Sequence, residues 1–192
     1  MDALLTLDYQ VLLWINQTTS NPIFDFILPL MRDKLVWVPL YVFIISFILF
    51  NLSSRHALVV LIAVGMTMTV SDLMSSSVIK PSVQRVRPCN DLALEGLITE
   101  RARCGGGYSF TSSHATNHFA LAVFLIVLLG PGRRWRGWLL LWAGTISYAQ
   151  VYVGVHYPLD ILGGSLLGSF IGYWGGGMPG RFGFRRQGEA TP

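Results

Sequence analysis

The chain has 192 residues, 52% hydrophobic and 12% charged, with a mean hydropathy of +0.51. Soluble domains carry about 25% charged residues, so this composition excludes an ordinary soluble domain and points to an all-α integral membrane bundle of one domain. The net charge of +4 comes from few, clustered basic residues. That pattern suits membrane topology and an anionic substrate, with the lipid bilayer rather than nucleic acid as partner.

In chain order, residues 1–33 hold two short amphipathic stretches, "LLTLDYQVLLWIN" and "NPIFDFILPLMRD". They predict interfacial helices or a sixth span. The start lacks the basic, apolar and small-residue regions of a secretory signal, so no cleaved signal peptide is expected. Five apolar runs have a length that spans the hydrocarbon core: Val36–Leu52, Ala57–Ile79, His114–Leu129, Trp138–Val155 and Leu159–Trp174. The last carries Gly163, Gly164, Gly168 and Gly172, which suits close helix packing. Residues 34–175 form the expected catalytic core, and the Gly-rich segment 176–192 a flexible basic tail.

Five spans put Arg55, Arg133, Arg134, Arg136, Arg181, Arg185 and Arg186 on one side. The other side carries Arg32, Lys34, Lys80, Arg85, Arg87, Arg101 and Arg103, so the raw count is a tie. Short loops weigh more in the positive-inside tendency, which makes the first side cytoplasmic. Lys80, His114 and His156 then share the outer side. Cys89 and Cys104 lie in the same outer stretch, and a disulfide is expected if it faces an oxidising compartment.

That outer side gathers Lys80, Arg85, Arg87, Ser112, Ser113, His114, His156 and Asp160. Ionisable groups at membrane depth are costly and therefore suggest function. Lys and Arg clamp phosphate oxygens, and a helix start such as "TSSH" cradles an anion. One histidine can attack phosphorus, a carboxylate can orient that ring, and a second histidine can protonate the leaving oxygen. Taken singly, Lys80 reads as a snorkelling anchor, Ser112 as an N-cap, and Arg85 and Arg87 as loop residues. The argument rests on their joint occurrence. His118 reads as a packing or supporting residue, and Asp72 as structural or as a partner of Lys80.

"KPSVQRVRP" (Lys80–Pro88), "TSSH" (Thr111–His114) and "AQVYVGVHYPLD" (Ala149–Asp160) together resemble the three signatures of the type 2 phosphatidic acid phosphatase family. Their usual forms are K-x6-R-P, P-S-G-H and S-R-x5-H-x3-D. The resemblance covers about residues 34–175 and implies a helical membrane enzyme that dephosphorylates polyprenyl or phospholipid phosphates without metal or cofactor. It implies His156 as nucleophile, Asp160 as its orienting group and His114 as general acid. Lys80, Arg87, Ser112 and the Ser113 N–H would hold the phosphoryl group. The short chain resembles bacterial undecaprenyl-diphosphate phosphatases most, which implies a multi-pass protein of the bacterial cytoplasmic membrane with its site facing outward. Lipid A and phosphatidylglycerophosphate phosphatases, a lipid phosphotransferase, and a lipid-phosphate binding or transport protein are the alternatives.

The sequence departs from the signatures at Thr111, Ser113, Ala149 and Gln150. Gln150 matters most, because it stands where the family has a phosphate-contacting arginine. Losing such a donor costs about 10²–10³ in rate. Three readings stand: Gln150 binds phosphate as a neutral donor; Arg85, Arg101 or Arg103 supplies the charge; or the protein mainly binds lipid phosphate.

Overall fold

A computed structural model describes residues 2–130 and 135–182. All regular structure among them is helical. Helix α1 (Asp2–Leu13) continues through a π-turn to Thr18, and α2 spans Pro22–Met31. The start of α2 follows from its sequence. The Asn21 side chain accepts from the Phe24 N–H at 2.9 Å, and Pro22 sits where no amide donor is needed. Helix α3 covers Val38–Asn51 and α4 Ser54–Leu73. A π-helical segment, Met74–Ile79, joins α4 to α5 (Lys80–Val83). Gln84 then takes a left-handed conformation (φ 54°) and turns the chain into a polar loop. Helices α6 (Ser113–Leu129), α7 (Arg136–Tyr152) and α8 (Pro158–Arg181) complete the bundle.

The five expected spans correspond to α3, α4–α5, α6, α7 and α8. Among the described residues, Lys34–Asn51 and Ser54–Val83 are long and apolar enough to cross a membrane by length and composition. Helix α6 has 17 residues, which at 1.5 Å per residue gives about 25 Å. Large apolar side chains point outward, including Phe43, Phe50, Leu166 and Phe170. Outward apolar side chains are what hydrocarbon around the bundle would favour.

Helix α6 is central, packed by α4, α7 and α8. Its closest partner is α8, and the reason is glycine. A methyl group at Gly164 would sit 2.7 Å from the Ser112 carbonyl oxygen, and one at Gly176 2.6 Å from that of Phe124. Gly168 and Gly172 face the backbones of Thr116 and Ala120 in the same way. The four-residue spacing lays one smooth stripe along α8, so the backbones approach closely. This stripe fixes the start of α6, carrying His114, against the start of α8, carrying Asp160.

The tail differs from expectation. Helix α8 runs to Arg181, because Gly175 and Gly176 pack on Thr67 and α6 rather than marking a flexible segment. Residues 183–192, with Arg185 and Arg186, lie outside the described residues, as do Arg133 and Arg134.

The N-terminal helices cover the site end. Leu12, Ile15 and Leu28 share a buried cluster with Ala149, Tyr152, Val155 and Tyr157. Asn16 is fully buried, and its amide donates to the Tyr152 carbonyl at 2.8 Å and the Thr99 carbonyl at 2.9 Å. A separate cluster of Val60, Ala63, Phe124 and Leu128 fills the other half of the bundle.

Candidate active site

His156 lies between α7 and α8, 3% exposed. Local sequence puts it there. Gly154 takes φ 83°, and the Val155 and His156 N–H groups turn back to the Gln150 carbonyl at 3.1 and 3.3 Å. Pro158 then opens α8, and Asp160 falls in its first turn. The Asp160 carboxylate accepts from the Tyr157 N–H at 2.9 Å and lies 3.3 Å from His156 Nδ1.

The other ring nitrogen, Nε2, is 3.3 Å from Arg87 Nη1. A guanidinium only donates, so Nε2 is the acceptor and Nδ1 carries the proton. That is the tautomer a nucleophilic imidazole needs, with Asp160 behind it and a lone pair facing a cation. Ser109 Oγ lies 3.3 Å from Nδ1 and donates to Asp160 Oδ2. Burial pushes the His156 imidazole down to about 4, against the pull of Asp160 and with help from Arg87 and Lys80. The ring is therefore neutral at pH 7.

Arg87 and Lys80 stand beside it. Arg87 reaches the Val155 carbonyl at 3.4 Å and the Gly107 carbonyl at 3.3 Å. Lys80 Nζ donates to the Tyr108 and Ser109 carbonyls at 2.9 and 3.3 Å. The loop running through Gly106–Ser109 thus holds both cations and carries the residue that touches His156. Cys89 and Cys104, just before this loop, are joined by a disulfide.

Ser112 caps α6, accepting from the Ala115 N–H, while its own N–H donates to the Asp160 carbonyl at 3.1 Å. Ser113 Oγ lies 2.9 Å from Ser75 Oγ, on the π-helical segment. The first N–H groups of α6 have no acceptor within the helix. His114 follows in that turn, its ring beside the backbone of Arg32 and stacked 6.2 Å from His118. His118 itself is occupied: Nδ1 bonds the His114 carbonyl at 2.8 Å, and Nε2 the Tyr41 hydroxyl at 3.2 Å. It packs and supports. Asp72 accepts from Asn117 at 3.1 Å and acts on Lys80 only through its charge.

Arg85 sits elsewhere than expected. It bridges Asp8 of α1 (2.5 Å) and Asp160 (2.9 Å), with its guanidinium 3.7 Å from the centre of the Tyr157 ring. Burial opposes its charge, but the two carboxylates outweigh it and raise its pKa. Arg101 is likewise taken, by Asp25 and by the Asn16 carbonyl at 2.8 Å. Gln150 is fully buried, and neither atom of its amide has a hydrogen-bond partner. Leaving such a group unpaired costs about 1–3 kcal/mol. Among the described residues no group of three or more His, Cys, Asp or Glu is placed to hold a metal ion.

Three residues here lie outside the sequence-predicted set: Ser109, Asp8 and Arg32. Ser109 belongs to the same polar run as Ser112. Asp8 carried a signal, since it is a carboxylate inside the apolar "LLTLDYQVLL".

Comparison with known proteins agrees with this geometry. The chain is 38% identical over 176 residues to the lipid A 4'-phosphatase of Bacteroides thetaiotaomicron, covering 90% of this chain and 77% of that one. It is 32% identical over 115 residues to the undecaprenyl-diphosphatase of Sulfolobus acidocaldarius, covering 57% and 52%. Its fold matches the transmembrane PAP2 type phosphatidylglycerolphosphate phosphatase of Bacillus subtilis with a TM-score of 0.69 at 19% identity, covering 97% and 90%. The pattern of the PAP2 superfamily matches residues 55–178, nearly two thirds of the chain, and this protein belongs to that superfamily of membrane lipid phosphatases.

Proposed function

We propose that the protein removes a phosphate monoester from a saccharolipid of the lipid A class, at the outer face of the bacterial cytoplasmic membrane. The observation that carries the chemistry is the placement of His156, with Nδ1 backed by Asp160 and Nε2 turned to Arg87. For the substrate, the support is the match to the lipid A 4'-phosphatase at 38% identity over 90% of the chain. Helix α1 contributes Asp8, which Arg85 ties to Asp160. Undecaprenyl diphosphate is the second reading, supported by the shorter match to an undecaprenyl-diphosphatase.

In this reading Lys80, Arg87 and the free N–H groups at the start of α6 hold the phosphoryl oxygens. His156 Nε2 attacks phosphorus, forming a P–N bond as the P–O bond to the lipid breaks. His114 gives its proton to the departing alkoxide. The anionic phosphate beside it favours the protonated imidazole this step requires. Water then attacks the phosphohistidine, His114 takes the water's proton, and the P–N bond breaks to release phosphate. Asp160 keeps the Nδ1 proton throughout and stabilises the charge that forms on the ring.

The test is phosphate release by the purified full chain, with EDTA present, from bisphosphorylated lipid A and from undecaprenyl diphosphate. Faster release from lipid A is expected. Release from undecaprenyl diphosphate alone reverses the order of the two readings, and no release from any lipid phosphate defeats both.

A further inference from the structure

Gln150 leaves the third signature without its arginine, and the structure removes Arg85 and Arg101 as replacements. Each is held by carboxylates, Arg85 by Asp8 and Asp160 and Arg101 by Asp25. Arg103, the remaining candidate, is exposed in the loop beside Cys104, whereas Arg32, outside all three signatures, acts on both Arg87 and His114. Arg32 follows the last residue of α2, and a chain of contacts fixes that end against α6. The Trp37 indole donates to the Met31 carbonyl at 2.7 Å, and its ring lies 5.6 Å from that of Trp142. Trp142 lies 5.1 Å from His118, whose Nδ1 bonds the His114 carbonyl. Arg32 is thereby set with its backbone beside the His114 ring, and its charge acts on both His114 and Arg87.

The guanidinium is not used up there. Its Nε is buried and has no hydrogen-bond partner, and among the described residues no carboxylate lies within ion-pair distance of it. The neighbouring Asp33 caps the Leu35 N–H at 2.9 Å instead. A half-buried guanidinium whose charge acts on Arg87, with only the charge of Asp33 to offset its burial, gains from an anion that joins the two arginines. A phosphoryl group bound between His156 and His114 is such an anion.

We infer that Arg32 is a phosphate-binding residue that supplies, from the N-terminal helices, the guanidinium the third signature lacks at Gln150. This rests on the phosphatase reading above. It also makes the N-terminal helices part of substrate recognition rather than only a membrane anchor.

The test uses the full chain in detergent and orthovanadate, a phosphate mimic, with lipid-phosphate turnover as a second readout. Arg32→Ala removes the guanidinium but keeps the backbone beside His114. It is expected to raise the vanadate Kd by about tenfold to a hundredfold, the worth of one charge-assisted hydrogen bond. Arg32→Lys should lose less, since it keeps the charge without the fork. Adding Gln150→Arg to Arg32→Ala should recover at least tenfold of the lost affinity. Melting without vanadate checks folding, and Arg32→Gln is read instead if the alanine variant cannot be isolated folded. An Arg32→Ala Kd within threefold of wild type overturns the inference. So does a Gln150→Arg gain that is equal with and without Arg32, because the two positions would then act independently. If wild type binds vanadate but hydrolyses no lipid phosphate, the phosphatase reading fails while the Kd values still judge Arg32. A wild type that binds no vanadate overturns both.

Discussion

Arg85 donates to Asp8 at 2.5 Å and to Asp160 at 2.9 Å, tying the first helix of the chain to the carboxylate behind the proposed nucleophile. Asp8 is 3% and Asp160 0% exposed, so the pair is shielded from solvent screening. Removing one partner of a buried ion pair strands the other charge, at about 3–5 kcal/mol. Asp8→Ala is therefore expected to lower the melting temperature and to cut kcat about tenfold with little change in KM, since Asp8 lies behind the nucleophile. A rise in KM at constant kcat would place Arg85 on the phosphate after all.

His156→Ala is expected to abolish turnover and the trapping of a phosphorylated protein. Asp160→Asn should keep the fold but cost about 10³–10⁴ in kcat, because the amide no longer specifies the Nδ1–H tautomer. Labelling the protein from ³²P-lipid and testing for an acid-labile, base-stable phosphate reads both. Label that persists in His156→Ala means another group is the nucleophile.

The depressed pKa of His156 gives a pH prediction. The neutral ring attacks, so the acid limb of kcat/KM should fall near pH 4 rather than near the ordinary value of about 6.5. Stability runs the same way. The unfolded chain takes up the proton at about 6.5 and the folded one only at about 4, so folding is favoured above 6.5 and loses that contribution as pH falls toward 4. In His156→Gln this part of the acid destabilisation should disappear. An acid limb between pH 6 and 7 would mean that the ring is not held neutral as the burial implies.

The Cys89–Cys104 disulfide closes the loop that lies between Arg87 and the Gly106 and Gly107 carbonyls that accept from it. A loop of this length is worth about 3 kcal/mol. Reduction should lower the melting temperature and raise KM several-fold through Arg87. Unchanged KM after complete reduction, checked by intact mass, would separate the disulfide from substrate binding.

Gly168 faces the Thr116 backbone across the α6–α8 contact. Gly168→Leu should separate the two helices and lose activity and stability together, while Gly177→Ala, with open space around it, should be tolerated. Equal behaviour of the two variants would argue against the glycine stripe.

The apolar runs located five of the helices, with the end of α8 at Arg181 the largest departure, because a helix crossing hydrocarbon must satisfy its own backbone and be apolar along its length. The signatures likewise marked Lys80, Arg87, His114, His156 and Asp160 as one site, since each ends a span on the same side. The flexible tail was misread because the packing role of Gly175 and Gly176 depends on what stands opposite them. Composition cannot distinguish a glycine that frees the chain from one that lets two helices touch. Arg85 shows the same limit. Its charge was legible, but its partner is Asp8, 77 residues away, and no local pattern reports a contact at that separation. Arg32 and Gln150 belong together for the same reason. The sequence determined that an arginine was missing from the third signature; only the packing of α2 against α7, with Trp37 on Trp142 and Trp142 on His118, sets Arg32 beside His114, where the proposal puts it on the phosphate.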